Sequence, residues 1–151
     1  MEKKLDILLH NRKIFNRFLK NFTLEQLNTI PAGFNNNIFW NIAHCLVTLQ
    51  RLVYHYSGLP TVVPQKWFDA YNKGTAPGPA ITDTDVVELL ELFHLTHEQL
   101  VKDYQAGVFK SYDVYTTSTK MELTSVEDAI TFSLFHEGIH VGSILALAKH
   151  V

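Results

Sequence analysis

An all-α fold, a four-helix bundle with long connections, is what this sequence predicts, and three observations carry the prediction. Apolar residues recur at helical spacing in four long segments. Residues that cap or break helices bound those segments. The connections between them, roughly fifteen to twenty-five residues each, hold no repeat and no low-complexity tract. The 151 residues suit a single domain spanning 1–151 with a substantial core.

The first helix is expected from Glu2 to Asn21, with Leu5, Leu8, Leu9, Phe15, Phe18 and Leu19 on one face. Thr23 and Gln26 then form a capping box for one further turn, before Pro31 and Gly33 break the chain. The cluster Asn35, Asn36, Asn37 offers an N-cap for a second helix running from Ile38 to about Tyr56. Its first three turns are apolar nearly all round, so it is expected to be buried. Pro60, Pro64, Pro77 and Pro79, with Gly74 and Gly78, make Leu59 to Ile81 a long surface crossover with one turn near Gln65 to Tyr71.

Thr82 is positioned to cap a third helix that reaches about Gln105 and ends at Gly107. Val86, Leu89, Leu90, Phe93, His97, Leu100 and Tyr104 share one side of it. Tyr112 to Leu123 alternates enough to suggest an extended loop or short strand. Thr124 and Glu127 form a second capping box, opening a last helix that is expected to continue to the C-terminus. The long helices then pack as an antiparallel-type bundle.

Thirteen basic against 15 acidic residues leave a net charge of −2, with no cationic cluster to suggest nucleic acid or anionic lipid. No uninterrupted apolar run reaches the length of a membrane span, and the charged start does not read as a signal peptide. The single cysteine, Cys45, suits a reducing compartment and reads as a small buried hydrophobe. A cytoplasmic protein is expected.

The stretch His136-Glu137-Gly138-Ile139-His140 puts two imidazoles one turn apart on one helical face, where they can share a divalent ion. Ala129, Ser133, Ser143 and Leu147 fall on the same stripe, and the small residues among them leave space around the histidines. His44, inside the most hydrophobic helix, is the best third ligand, because an unpaired imidazole is costly to bury there. The pentapeptide also matches the H-E-x-x-H of zinc metalloproteases. Those enzymes need a further ligand downstream, however, and nothing after His140 matches one. Glu137 projects about 100° off the ligand stripe and is expected to pair with a neighbour or solvent rather than act as a base. Trp40, one turn before His44, walls the pocket or simply packs in the core. His97 reads as a core histidine or a group behind the site.

Asn37, Trp40 and His44 on the second helix, with His136, His140 and Gly142 on the last, together resemble the DinB-like superfamily. The Tyr71 to Pro77 segment is also similar to loops of bacterial members. The resemblance implies up-down-down-up topology and a metal held by His44, His136 and His140, with nickel, zinc or iron as the ion. It further implies homodimers and a small-molecule substrate. Characterised relatives include S-transferases and isomerases that use low-molecular-weight thiols such as bacillithiol or mycothiol, and others are labelled hydrolases. Three histidines leave coordination positions open, the pattern of a catalytic site. A metal-dependent thiol S-transferase or hydrolase is therefore the expected activity. The alternative is a non-catalytic, stress-linked bundle that binds metal or a small ligand.

Overall fold

Side chains that take up the free N–H groups of a helix start set several of the helix boundaries. The computed structural model describes Met1–Val151 and opens with α1 (Glu2–Asn21), followed by α2 (Leu24–Asn28). The Thr23 capping box is formed: its Oγ1 accepts from the Gln26 N–H at 3.2 Å, and its own N–H donates to Gln26 Oε1 at 3.0 Å. Asn37 Oδ1 accepts from the Trp40 N–H at 2.8 Å and starts α3 (Ile38–Val53). That helix stops short of the expected Tyr56. It passes into a single 3₁₀ turn, His55–Ser57, closed by Gly58 at φ 69°, a left-handed conformation that favours glycine.

The crossover contains α4 (Gln65–Tyr71) and is more than a surface connection. Trp67 is 3% exposed and packs against Phe39 and Tyr71, while its Nε1–H donates to Glu88 Oε1 at 2.9 Å. Next comes α5 (Asp83–Gln105), where Asp85 Oδ2 accepts from both the N–H and the hydroxyl of Thr82. Two short antiparallel strands follow, β1 (Tyr115–Thr116) and β2 (Glu122–Leu123), with Tyr115 opposite Leu123.

The start of α6 (Val126–Leu147) corrects the sequence reading by one residue. Ser125, not Thr124, is the cap, and its Oγ accepts from the Asp128 N–H at 3.1 Å. The returning carboxylate belongs to Asp128, which accepts from the Thr124 N–H and hydroxyl at 3.0 and 2.9 Å. Glu127 turns outward to accept from the Tyr104 hydroxyl at 2.7 Å. At its far end α6 stops at Leu147 rather than running to the C-terminus.

The structure is mostly helical, with that one small two-stranded ribbon. α6 packs against α3 and α1, and α5 packs against the same two helices. Two apolar clusters form the interior. Phe15, Phe39, Leu46, Leu89, Phe93 and Ile144 belong to one; Leu8, Leu52, Leu100, Leu123, Ile130 and Phe132 belong to the other. The segment Val126–Leu147 has the length and overall hydropathy of a membrane span, although no uninterrupted apolar run does. It packs on α3 and α1 along one side, carrying Glu137 at 0% exposure against α1.

Candidate metal centre

The most intimate helix contact, α3 with α6, brings the three singled-out histidines together. Ring centroids stand 5.1 Å apart for His44 and His136, 5.0 Å for His44 and His140, and 4.6 Å for His136 and His140. One ring nitrogen from each lies within 4.8 Å of the others. A tetrahedral ion with bonds of about 2.0–2.1 Å draws its nitrogens to roughly 3.3 Å of one another, a distance small ring rotations can close.

Two of the three rings are held by protein atoms that leave a nitrogen free. His44 Nδ1–H donates to the Tyr71 carbonyl at 2.7 Å, so Nε2 faces the other histidines. The Thr48 hydroxyl lies 3.3 Å from that Nε2. His140 Nδ1 meets Asn41 Oδ1 at 2.7 Å. The Asn41 amide is itself fixed, because its Nδ2 donates to the Asn37 carbonyl at 2.7 Å and to Asn36 Oδ1 at 2.9 Å. Its oxygen must therefore face His140, which makes His140 Nδ1 the donor and leaves Nε2 available.

Burial keeps the set neutral, the form a metal requires. Desolvation is the main cause at each ring: it lowers His136 to about 3, helped by His140, His44 and Arg12, and lowers His140 to about 4, helped by His44. His44 is lowered too, with its bond to Tyr71 working in the opposite direction. Trp40 lies parallel to His44 at 4.7 Å between centroids and 8° between planes, and its Nε1–H donates to Thr75 Oγ1 at 3.1 Å. It therefore backs the ring at 8% exposure.

Glu137 turns away from this cluster, as the helical rotation requires. It is 0% exposed, with Oε1 2.7 Å from Arg12 Nη2 of α1 and Oε2 accepting from Asn11 Nδ2 at 3.0 Å. The Arg12 contact is an ion pair without hydrogen-bond alignment. The guanidinium also lies 4.5 Å from the Phe93 ring centre. Burial pushes the Glu137 carboxyl above its usual range, with Arg12 and Asn11 pulling the other way. His97 sits half-buried on α5, lowered first by burial and then by Arg12, and does not join the three. Cys45 is 0% exposed and burial raises its thiol strongly, so it contributes core volume.

Asn41, the Tyr71 carbonyl and Arg12 were not anticipated from sequence. Asn41 had a signal, being a second polar residue inside the apolar run of α3. Arg12 had one as well, since it occupies an inward position between Leu8 and Phe15. A backbone carbonyl reaching in from the crossover has none.

A cavity of about 460 Å³ opens beside the histidines, walled by Phe132 and Tyr115. Helical elements thus bring three imidazoles together beside one cavity, an arrangement that could hold a metal ion. The sequence profile of the DinB superfamily matches residues 7–144, and the chain belongs to that superfamily. No curated protein matches the sequence. The superfamily is a metal-binding one, and the donor set here fits a divalent ion.

Proposed function

We propose that this protein is a metal-dependent enzyme in which His44, His136 and His140 hold one divalent ion beside the cavity. The reaction transfers a low-molecular-weight thiol, or water in a hydrolytic variant, to a small electrophile. The observation that carries this reading is the trio of neutral imidazoles, with nitrogens within 4.8 Å of one another, at the edge of an open cavity. When bound, the ion would lower the pKa of a thiol or water at its open position toward neutrality. The protein's own part is orientation: Tyr71 and Asn41 fix two ring tautomers, and Trp40 holds the His44 plane. Phe132 and Tyr115 give the cavity an apolar wall.

The reading includes one domain of up-down-down-up topology. α1 and α6 run from the Leu8–Ile130 cluster to the Phe15–Ile144 cluster, while α3 and α5 run from the second to the first, and this supports that order. It also includes a homodimer, supported by the exposed α6 residues Phe135, Ile139 and Leu145. A buried free Cys45 is in keeping with the cytoplasm.

Elemental analysis of protein purified without a histidine tag tests the site. One equivalent of nickel, zinc or iron is expected, lost in His44→Ala, His136→Ala and His140→Ala. Stoichiometric metal surviving all three substitutions would sink the assignment. Metal-dependent consumption of an epoxide or halo-aromatic with a panel of thiols then tests catalysis, and no turnover across the panel would leave a binding protein.

A further inference from the structure

α3 carries a second functional pattern beyond its histidine ligand. His44, Thr48 and Arg51 are spaced i, i+4, i+7 and so share one helical face. All three line the cavity of about 460 Å³. Arg51 stands two turns beyond His44, about 10 Å along the helix axis. Lys73, in the segment after α4, lines the same cavity. Asn72 lines it too and, with Arg51, also lines an adjoining cavity of about 220 Å³.

The charge balance of this space departs from that of the whole molecule. The chain holds 15 acidic residues against 13 basic, yet no carboxylate lines either cavity. Arg51 forms no ion pair, whereas Arg12 and Lys66 do. A half-buried guanidinium facing a cavity without an acidic partner is suited to an anionic guest. Its planar fork matches the two oxygens of a carboxylate or phosphate. The cavity volume falls in the range of small-molecule sites.

We propose that the ligand of this cavity is a small molecule bearing an oxyanion, a carboxylate or phosphate, which Arg51 grips with help from Lys73 while the reactive group lies at the histidines. Arg51 and Lys73 are specificity residues: they select a guest that carries its charge apart from its reactive atom, at the Arg51 end of the cavity. The reactive end rests on the proposed metal site. The anion end does not.

The two ends are tested separately. Metal-free protein is titrated calorimetrically with inorganic phosphate and with succinate, which distinguishes the two oxyanion sources. At least one should bind, and Arg51→Gln should weaken it about tenfold or more, as loss of a charge-assisted contact requires. Lys73→Gln should weaken it less, and Arg17→Gln on the exposed side of α1 should leave it unchanged. Failure of both anions to bind, or equal binding by Arg51→Gln, overturns the proposal whatever the metal does. Cobalt-loaded protein is then titrated with 6-mercaptohexanoate and with 6-mercaptohexanol, following the near-ultraviolet sulfur-to-cobalt band. The acid should bind about tenfold more tightly, and Arg51→Gln should erase the difference. Equal affinity of the two thiols for the unsubstituted protein counts against the proposal. Absence of cobalt binding defeats the metal reading alone and leaves the phosphate and succinate result to stand.

Discussion

Breaking the Arg12–Glu137 pair should unfold this protein more readily without touching its metal chemistry. Both side chains are almost wholly enclosed, at 4% and 1% exposure, so solvent does little to soften the loss of either partner. Removing one partner of a buried ion pair typically costs about 3–5 kcal/mol, because the survivor is left charged and unpaired. The contact at 2.7 Å is not aligned as a hydrogen bond, which favours the lower half of that range for the charge itself. Glu137→Leu also strands the Asn11 amide, and Arg12→Met also gives up the contact with Phe93. Each single substitution is therefore expected to cost about 3–4 kcal/mol. For a chain of this size that is a melting shift of roughly 6–16 °C.

The double substitution Arg12→Met with Glu137→Leu leaves no orphaned charge and is expected to lie within about 1–2 kcal/mol of the parent. Urea unfolding of the four proteins gives the coupling energy directly. The same samples carry the functional half of the prediction, because the double variant should hold its metal in the parental ratio. If that variant is folded yet loses the metal, Glu137 belongs to the site and the structural assignment is wrong. If Glu137→Leu melts within about a degree of the parent, the buried pair contributes nothing and the energetic argument fails.

Asn41→Leu removes the acceptor that sets the His140 tautomer and should weaken metal affinity about 10–100-fold, measured by competition with a chromophoric chelator. Retained affinity in a folded Asn41→Leu protein would show that the ring needs no such support. Cys45 should resist a thiol reagent at mild alkaline pH in the native state and react fully in denaturant; rapid native reaction would contradict its enclosure. Because Trp40 lies 4.7 Å from His44, nickel or cobalt should quench part of the tryptophan fluorescence. Trp40→Phe should abolish that component and Trp67→Phe should leave it, so quenching that persists without Trp40 places the ion elsewhere.

How far the sequence could be read depended on whether a residue's role was local. His44 was legible because an imidazole within the apolar run Ile38 to Val47 demands a partner, and the paired imidazoles of α6 supply a reason for it. The cap at Asn37 was legible because its bond to Trp40 spans three residues. Arg12 and Glu137 were each visible as charges, but their pairing is separated by 125 positions and depends on how α1 lies against α6. The crossover looked like a surface loop because its prolines and glycines dominate its composition. Its buried Trp67 and the Tyr71 carbonyl belong to the interior all the same, and both act through tertiary contacts. The cap of α6 shifted by one residue because Thr124 and Ser125 are equivalent in type, and only the reach of Asp128 separates them.

The motif His136-Glu137-Gly138-Ile139-His140 divides its labour by rotation. Residues i and i+4 return to nearly the same face, so both imidazoles meet α3, whereas i+1 turns about 100° and meets α1. A protease-like use of Glu137 would need its carboxylate on the histidine side. Here that direction is taken by His44, and the carboxylate is enclosed with Arg12 instead. The third ligand lies far upstream for the same geometric reason. Within a turn of the pair, that face of α6 carries Phe132, Ser133, Ser143 and Ile144 and no third imidazole or carboxylate, so the next donor comes from the neighbour packed on it. That neighbour is α3, and its one histidine inside the helix stands where the two of α6 converge.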